Sequence, residues 1–378
     1  MAGVDNNIWI YYVFAFITTV LLCLLSATYH NRIVDAGHQV INRKLHLVLI
    51  FLLWLEVVLF CAFRTISRGY GGTDAIAYKS FFENAIGGFN DYVNKYKDFE
   101  VLYLLTNWIV HKFTDNYQIY LVLYYTVMVG CLLKFCKMFK LNKYYYLGTL
   151  CLVFVLLQSF NLQRNILAVF LSFFVIDNIK NKQYLKAGIQ IIILMGIHRS
   201  SVILFVPLFG IWLIEKIKGK KTYLIVLYDI VVSSVILLGS SLIGTLFMGT
   251  RYSAYDVGTG SVALANVISL VFVLIIIRLR QTIIFMNKKL AFLIYFYILF
   301  IPLIALQSVF SIAYRMVLYT LPISYVLFSK IKEEFSLNKN YVNILINLMA
   351  NAYLLYRVLS LALGSETHIG SVYMSDLF

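Results

Sequence analysis

The sequence predicts an all-α fold: a polytopic integral membrane protein of about twelve transmembrane helices, with a re-entrant or interfacial helix inside one large extracytoplasmic loop. Three observations carry this. Hydrophobic residues make up 61% of the 378 and charged residues only 13%, far from the mix of a soluble domain. Apolar runs close to the ~20 residues that cross a bilayer recur along the whole chain. Between them lie short basic clusters: Lys134, Lys137, Lys140 and Lys143, then Lys180, Lys182 and Lys186, then Lys216, Lys218, Lys220 and Lys221. A net charge of +15 would suit nucleic-acid binding if it formed one patch. Scattered in this way it marks cytoplasmic loops that touch anionic membrane lipid, and nucleic acid is not expected as a partner.

The elements follow in order from hydropathy and charge. Met1-Ala2-Gly3-Val4-Asp5 places no basic residue ahead of the first apolar run, unlike a cleaved signal peptide, so residues 8–28 are expected to stay as the first span. Further spans are expected near 45–63, 117–133, 144–160, 164–178, 184–198, 200–215, 222–247, 263–279, 290–306, 308–328 and 341–363. This threading leaves both termini outside and every basic cluster inside, including Arg32/Arg43/Lys44, Arg278/Arg280/Lys288/Lys289 and Lys330/Lys332/Lys339. No stretch between spans is long enough for a soluble domain, so residues 1–378 read as a single membrane domain. There is no internal repeat. Almost nothing links the spans that meet near residues 198–200, which counts against a two-halved transporter. The five cysteines show neither CxxC nor Cys/His ligand spacing, so neither a disulfide nor a metal site is expected.

Residues 100–113 are apolar but short, and a crossing there would put Lys134–Lys143 outside and break the charge parity of every later loop. They are expected to lie at or dip into the surface, with Asp98 as helix N-cap. The outer loop then spans 64–116. Within it Ala75, Tyr78, Phe82 and Ala85 recur at helical spacing, predicting an amphipathic helix that Gly87-Gly88 ends.

Ionisable groups at membrane depth are costly and usually functional. The threading gathers such groups at the outer ends of spans. Arg64 follows the second span, with Asp74 after Gly71-Gly72-Thr73, and Glu100 opens the short helix. Gln163-Arg164 occupies a very short turn, His198-Arg199-Ser200-Ser201 the next outer turn, Arg251 a later outer loop, and Arg315 lies about two turns into a span. Taken singly, Arg64 and Arg251 suit lipid headgroups, Ser200 suits a helix cap, and His198 suits a structural hydrogen bond. Arg164 and Arg315 are harder to dismiss, because such arginines need an anionic partner.

Phe63-Arg64, Gly72-Thr73-Asp74 with Tyr78 and Phe81, Glu100 opening an apolar helix, Gln163-Arg164 opening a span, and His198-Arg199-Ser200-Ser201 before a proline-containing apolar helix stand in a set order. In this the chain resembles the EpsG family of Wzy-like exopolysaccharide and O-antigen polymerases. The likeness covers residues 60–215, and the last third matches in hydropathy and Arg315. The resemblance implies a glycosyltransferase of the bacterial cytoplasmic membrane with its active site facing outward. It would join oligosaccharide repeat units carried on a polyprenyl diphosphate, for an O-antigen, capsule or exopolysaccharide, with a flippase and a chain-length regulator as partners.

The residues suit that chemistry on their own terms. A diphosphate leaving group needs its charge held, which arginine does with planar, bidentate hydrogen bonds. Arg64, Gln163, Arg164, Arg199, Ser200, Arg251, Arg315 and Tyr78 are the candidates for binding the diphosphate and sugars, and no cofactor or metal is required. One base accepts the sugar hydroxyl proton; Asp74 ranks first, His198 second and Glu100 third. The alternative is a lipid-linked oligosaccharide flippase, which would need cationic groups reachable from both faces. The one-sided placement favours the enzyme.

Overall fold

The computed structural model describes residues 8–31, 39–67, 72, 74–216, 227–234, 264–300, 302, 313–336 and 340–362. The helices used below are α1 (Ile8–Asn31), α2 (Gln39–Ala62), α3 (Ala75–Glu83), α4 (Phe89–Lys95), α5 (Val101–His111), α6 (Tyr117–Phe139), α7 (Tyr146–Leu157), α8 (Gln163–Lys180), α9 (Tyr184–Met195), α10 (Phe205–Lys216), α11 (Leu264–Met286), α12 (Lys288–Ile298), α13 (Leu321–Ser336) and α14 (Tyr341–Ala362). Among the described residues, six stretches are helical, long and apolar enough to cross a membrane: Trp9–Thr28, Arg43–Ala62, Tyr117–Phe139, Lys143–Phe160, Val267–Ile284 and Tyr341–Leu361. The protein is an α-helical polytopic membrane protein. Of the other expected spans, 164–178, 184–198, 200–215 and the described parts of 290–306 and 308–328 fall on helices that are shorter or less apolar; residues 301 and 303–312 and most of 222–247 lie outside the described residues. The span expected at 263–279 continues to Met286 past a break in helical geometry at Arg280.

The chain forms two compact units. The first comprises residues 1–174, 196–199 and 354–378, and the second 175–195 and 200–353. In the first, α1 packs on α2, α6 and α7, and α2 packs on α6. Ala15, Ser26 and Ala62 are fully buried here; such small residues let helix backbones approach closely, which is what drives association where lipid is as apolar as leucine. Phe14 stacks on Phe60 at 4.1 Å and Tyr11 meets the same ring edge-on at 5.8 Å. Phe16 and Phe51 point outward, as lipid-facing residues do.

The 64–116 segment folds onto this bundle. Helix α3 packs on α5 and α6, α4 on α5, and α5 on α6. Ala75, Tyr78, Phe82 and Ala85 all turn inward, the face that their spacing predicts. Gly87 takes a left-handed φ of 80°, and Gly88 then caps α4, a helix the sequence reading did not anticipate. The N-cap of α5 is Glu100 and not Asp98. Local propensity favours aspartate, but here the first amides of α5 are satisfied from a distance: Leu102 N and Tyr103 N donate to the Gly196 carbonyl at 2.9 and 3.1 Å.

In the second unit α9 packs on α10, α11 on α12, α12 on α13, and α10 on α12. Phe272 stacks on Phe328 at 5.7 Å, and Phe328 meets Tyr353 in a tilted contact at 4.0 Å. Glu215 takes Lys182 at 3.0 Å and the Tyr184 hydroxyl, tying the ends of α9 and α10 together.

Candidate functional site

The site is built on the reversal between α7 and α8. Helix α7 tightens into a 3-10 turn at Gln158–Phe160, and α8 starts three residues later at Gln163. Gln158, Ser159, Asn161, Gln163, Arg164 and Asn165 are all buried, a density of polar groups that a membrane protein keeps only where something satisfies them.

Three sets of contacts hold the turn. Arg64 is 1% exposed, and its guanidinium donates to the Cys61 carbonyl and to the Tyr125 hydroxyl at 3.1 Å. It lies 4.1 Å from the Phe160 ring centroid, and Tyr125 in turn pairs with Ser159 at 3.0 Å. One face of α6 supplies the second set: the Tyr124 hydroxyl donates to the Gln163 carbonyl at 2.8 Å and Tyr117 to Gln163 Oε1 at 3.2 Å. The third comes from the loop. Gly72, at φ +118°, presses its backbone against the Phe160 carbonyl, and Tyr78 donates to the Asn161 carbonyl at 3.4 Å. A Cβ at residue 72 would meet that carbonyl and stand 2.9 Å from Asn161 Oδ1, so close approach needs glycine here.

At the start of α8 the Arg164 guanidinium pairs with Glu100. The side chains are 8% and 1% exposed, so the pair is cut off from water. Glu100 reaches further, accepting from the Arg199 amide at 3.3 Å through its other oxygen. The plane of Arg164 rests between Phe99 at 4.5 Å and Tyr103 at 5.5 Å, and Tyr78 interacts with it too. Arg164 Nε, Gln163 Nε2 and the Tyr103 hydroxyl are buried and have no hydrogen-bond partner among the described residues. Arg164 Nε and Gln163 Nε2 lie at the start of α8 and the Tyr103 hydroxyl on α5 beside Arg164, an arrangement suited to an anion.

Asp74 is exposed at the N-cap of α3, makes no capping bond with its side chain, and lies one helical turn from Tyr78. Phe81, Tyr96 and Phe99 form an aromatic cluster with centroids 4.5 to 6.2 Å apart. Burial raises the phenol pKa of Tyr92 and of Tyr96, so both stay neutral donors at ordinary pH. His198 is buried in the 196–199 segment, and Arg199 is exposed beside it.

The first unit thus brings together Arg64, Tyr78, Glu100, Gln163, Arg164 and the Arg199 backbone around one turn and one helix N-terminus. Ser200 and Arg315 belong to the second unit, where Ser200 hydrogen-bonds Tyr319 at 3.4 Å and Arg315 is half-buried. Arg251 lies outside the described residues. Sequence reasoning missed Phe99, Tyr103, Tyr117, Tyr124, Tyr125 and Ser159. A signal existed for some: Tyr117, Tyr120 and Tyr124 share a helix face, and the run from Gln158 to Asn165 is too polar for membrane depth.

The EpsG family model matches residues 47–368, which spans both units and the whole of this constellation. The chain belongs to the EpsG family. No curated protein and no solved structure matches it. Membership in the EpsG family points to a polysaccharide-polymerase type of role in a membrane, with a lipid-linked oligosaccharide as the class of substrate.

Proposed function

We propose that this EpsG-family protein joins polyprenyl-diphosphate-linked oligosaccharide repeat units at the extracytoplasmic face of the cytoplasmic membrane. The observation that carries the reading is the buried Arg164, paired to Glu100 on one side and left with an unsatisfied Nε donor on the other. In the proposed reaction an acceptor sugar hydroxyl attacks the anomeric carbon of the donor. The bond from that carbon to the diphosphate breaks, and the diphosphate leaves with the electron pair. Arg164, Gln163 and Tyr103 donate to its oxygens, and the positive end of α8 adds to them. The acceptor proton passes to Asp74, the exposed carboxylate at the N-cap of α3. Because a diphosphate departs without protonation, a second carboxylic acid is not needed, in contrast to a glycosidase.

In this reading Glu100 orients Arg164 and does not act as base, since both its oxygens are engaged. Arg64, held by protein groups on every side the structure describes, fixes the turn that carries Gln163 and Arg164. The test is polymerisation of a defined lipid-linked repeat unit by purified Arg164→Lys. Lysine keeps the charge and the Glu100 pair but cannot reproduce a planar grip on phosphate oxygens. The rate should fall by about 10²-fold or more while the protein still inserts and accumulates. Ordinary polymerisation by this variant would leave Arg164 a structural residue.

A further inference from the structure

A second site lies at the other end of the first unit, and it does not depend on the catalytic reading. Between α1 and the turn that joins α6 to α7 is a cavity of about 580 Å³, within the range of about 300–1,000 Å³ usual for ligand sites. Val20, Cys23, Leu24 and Ala27 of α1 form one wall; Leu141, Asn142, Lys143, Tyr144 and Tyr146 form the other. The α1 wall is apolar and half-buried or exposed. The facing turn is capped at both ends: Lys140 ends α6 at a left-handed φ of 51°, and the Asn142 side chain accepts from Tyr144 N at 2.9 Å. Lys143 is exposed on the lip, over the Tyr144 ring at 5.3 Å, with Lys137 and Lys140 exposed in the same stretch. Among the described residues no acidic side chain lines the cavity. The positive-inside bias puts this basic turn in the cytoplasmic leaflet, where anionic lipid collects.

We infer that this groove binds one anionic phospholipid, an acyl chain lying along Val20, Leu24 and Ala27 and the phosphate meeting Lys143 and Lys140. An apolar slot alone would accept any lipid tail; the lysines on one lip select the headgroup. A natural reporter sits in the wall. Cys23 is half-buried, whereas Cys61, Cys131, Cys136 and Cys151 are buried. Labelling of the detergent-purified protein by N-ethylmaleimide, followed by intact mass, therefore reads the occupancy of the groove.

Phosphatidylglycerol should slow labelling of Cys23 relative to phosphatidylcholine of the same chain length, by about five-fold for one lysine and more if two engage. Lys140→Gln/Lys143→Gln should remove that difference and label as the native protein does in phosphatidylcholine. Equal protection by the two lipids overturns the proposal, as does protection by glycerol phosphate, which would make the site one for free anions. Should Cys23 resist labelling in every lipid, the lipid that co-purifies decides. The native protein should retain a higher ratio of phosphatidylglycerol to phosphatidylethanolamine than the double variant, and equal ratios refute lipid selection here.

Discussion

Glu100→Gln isolates what the buried ion pair does. Glutamine keeps the shape of the side chain, and its carbonyl oxygen can still accept from the Arg199 amide, so the docking of residues 196–199 on α5 is retained. Only the charge goes. Arg164 is then a cation enclosed by protein, with Tyr78 and the rings of Phe99 and Tyr103, at 4.5 and 5.5 Å, as its remaining neighbours. Cation–π contacts contribute about 0.5–2 kcal/mol, less than the several kcal/mol that burying an ion costs. With the side chains only 8% and 1% exposed, solvent screening offers little relief. The expected loss is about 3–5 kcal/mol, the usual cost of removing one partner from a buried pair. Arg164→Gln should lose a similar amount by stranding Glu100.

The double variant Glu100→Gln/Arg164→Gln puts two amides where the ions were, and they can bond each other. It should be more stable than either single variant, with non-additivity of about 2 kcal/mol or more. Thermal unfolding in detergent, followed by tryptophan fluorescence, gives the ranking: native highest, the double variant between, the single variants lowest. The double variant should also fail to polymerise, because the diphosphate has lost its guanidinium. Additivity within about 0.5 kcal/mol, or single variants as stable as the native protein, would refute the argument.

Asp74→Asn should abolish turnover yet leave binding of the lipid-linked donor nearly unchanged, measured by polymerisation and by retention of labelled donor. Gly72→Ala should destabilise by about 1–3 kcal/mol, since φ is +118° and the added methyl meets the Phe160 backbone. Gly130→Ala, in α6 with nothing within 4 Å of its would-be Cβ, should be neutral or stabilising by up to about 1 kcal/mol in the same unfolding assay. Polymerisation should be insensitive to chelation by EDTA, because arginine supplies the charge that a divalent cation otherwise brings; loss of activity on chelation, restored by magnesium or manganese, would show that it does not.

Local patterns in the chain reveal much of this, and distant ones very little. The inward face of α3 is legible because Ala75, Tyr78, Phe82 and Ala85 repeat at helical spacing. The site residues stand out because Arg164 and Gln163 sit where a lipid-embedded chain should hold none. Helix α4 escapes notice: Phe89-Asn-Asp-Tyr-Val-Asn-Lys is short and polar, and only its packing on α5 makes it worth forming. The cap of α5 is equally hidden, because its acceptor is a carbonyl at residue 196 and no local rule connects the two. Nor does spacing reveal that Gly72 must admit the Phe160 carbonyl, a contact between segments far apart in sequence. Patterns of period and charge describe what a helix wants; which helix it meets is decided by packing across the unit.

The four residues 196–199 belong to the first unit, although the chain on either side of them belongs to the second. This sets the order of events at the ribosome. Glu100 is made long before Arg164, and the Gly196 carbonyl and Arg199 amide come later still, about 5–20 s after Glu100 at roughly 5–20 residues per second. During that interval α5 is a short apolar helix with an unsatisfied N-terminus and a lone carboxylate, beside a membrane it is too short to cross. A pause in synthesis between residues 100 and 164 would prolong its exposure, and quality-control proteases would meet it first. The segment 64–116 is encoded early and finished late.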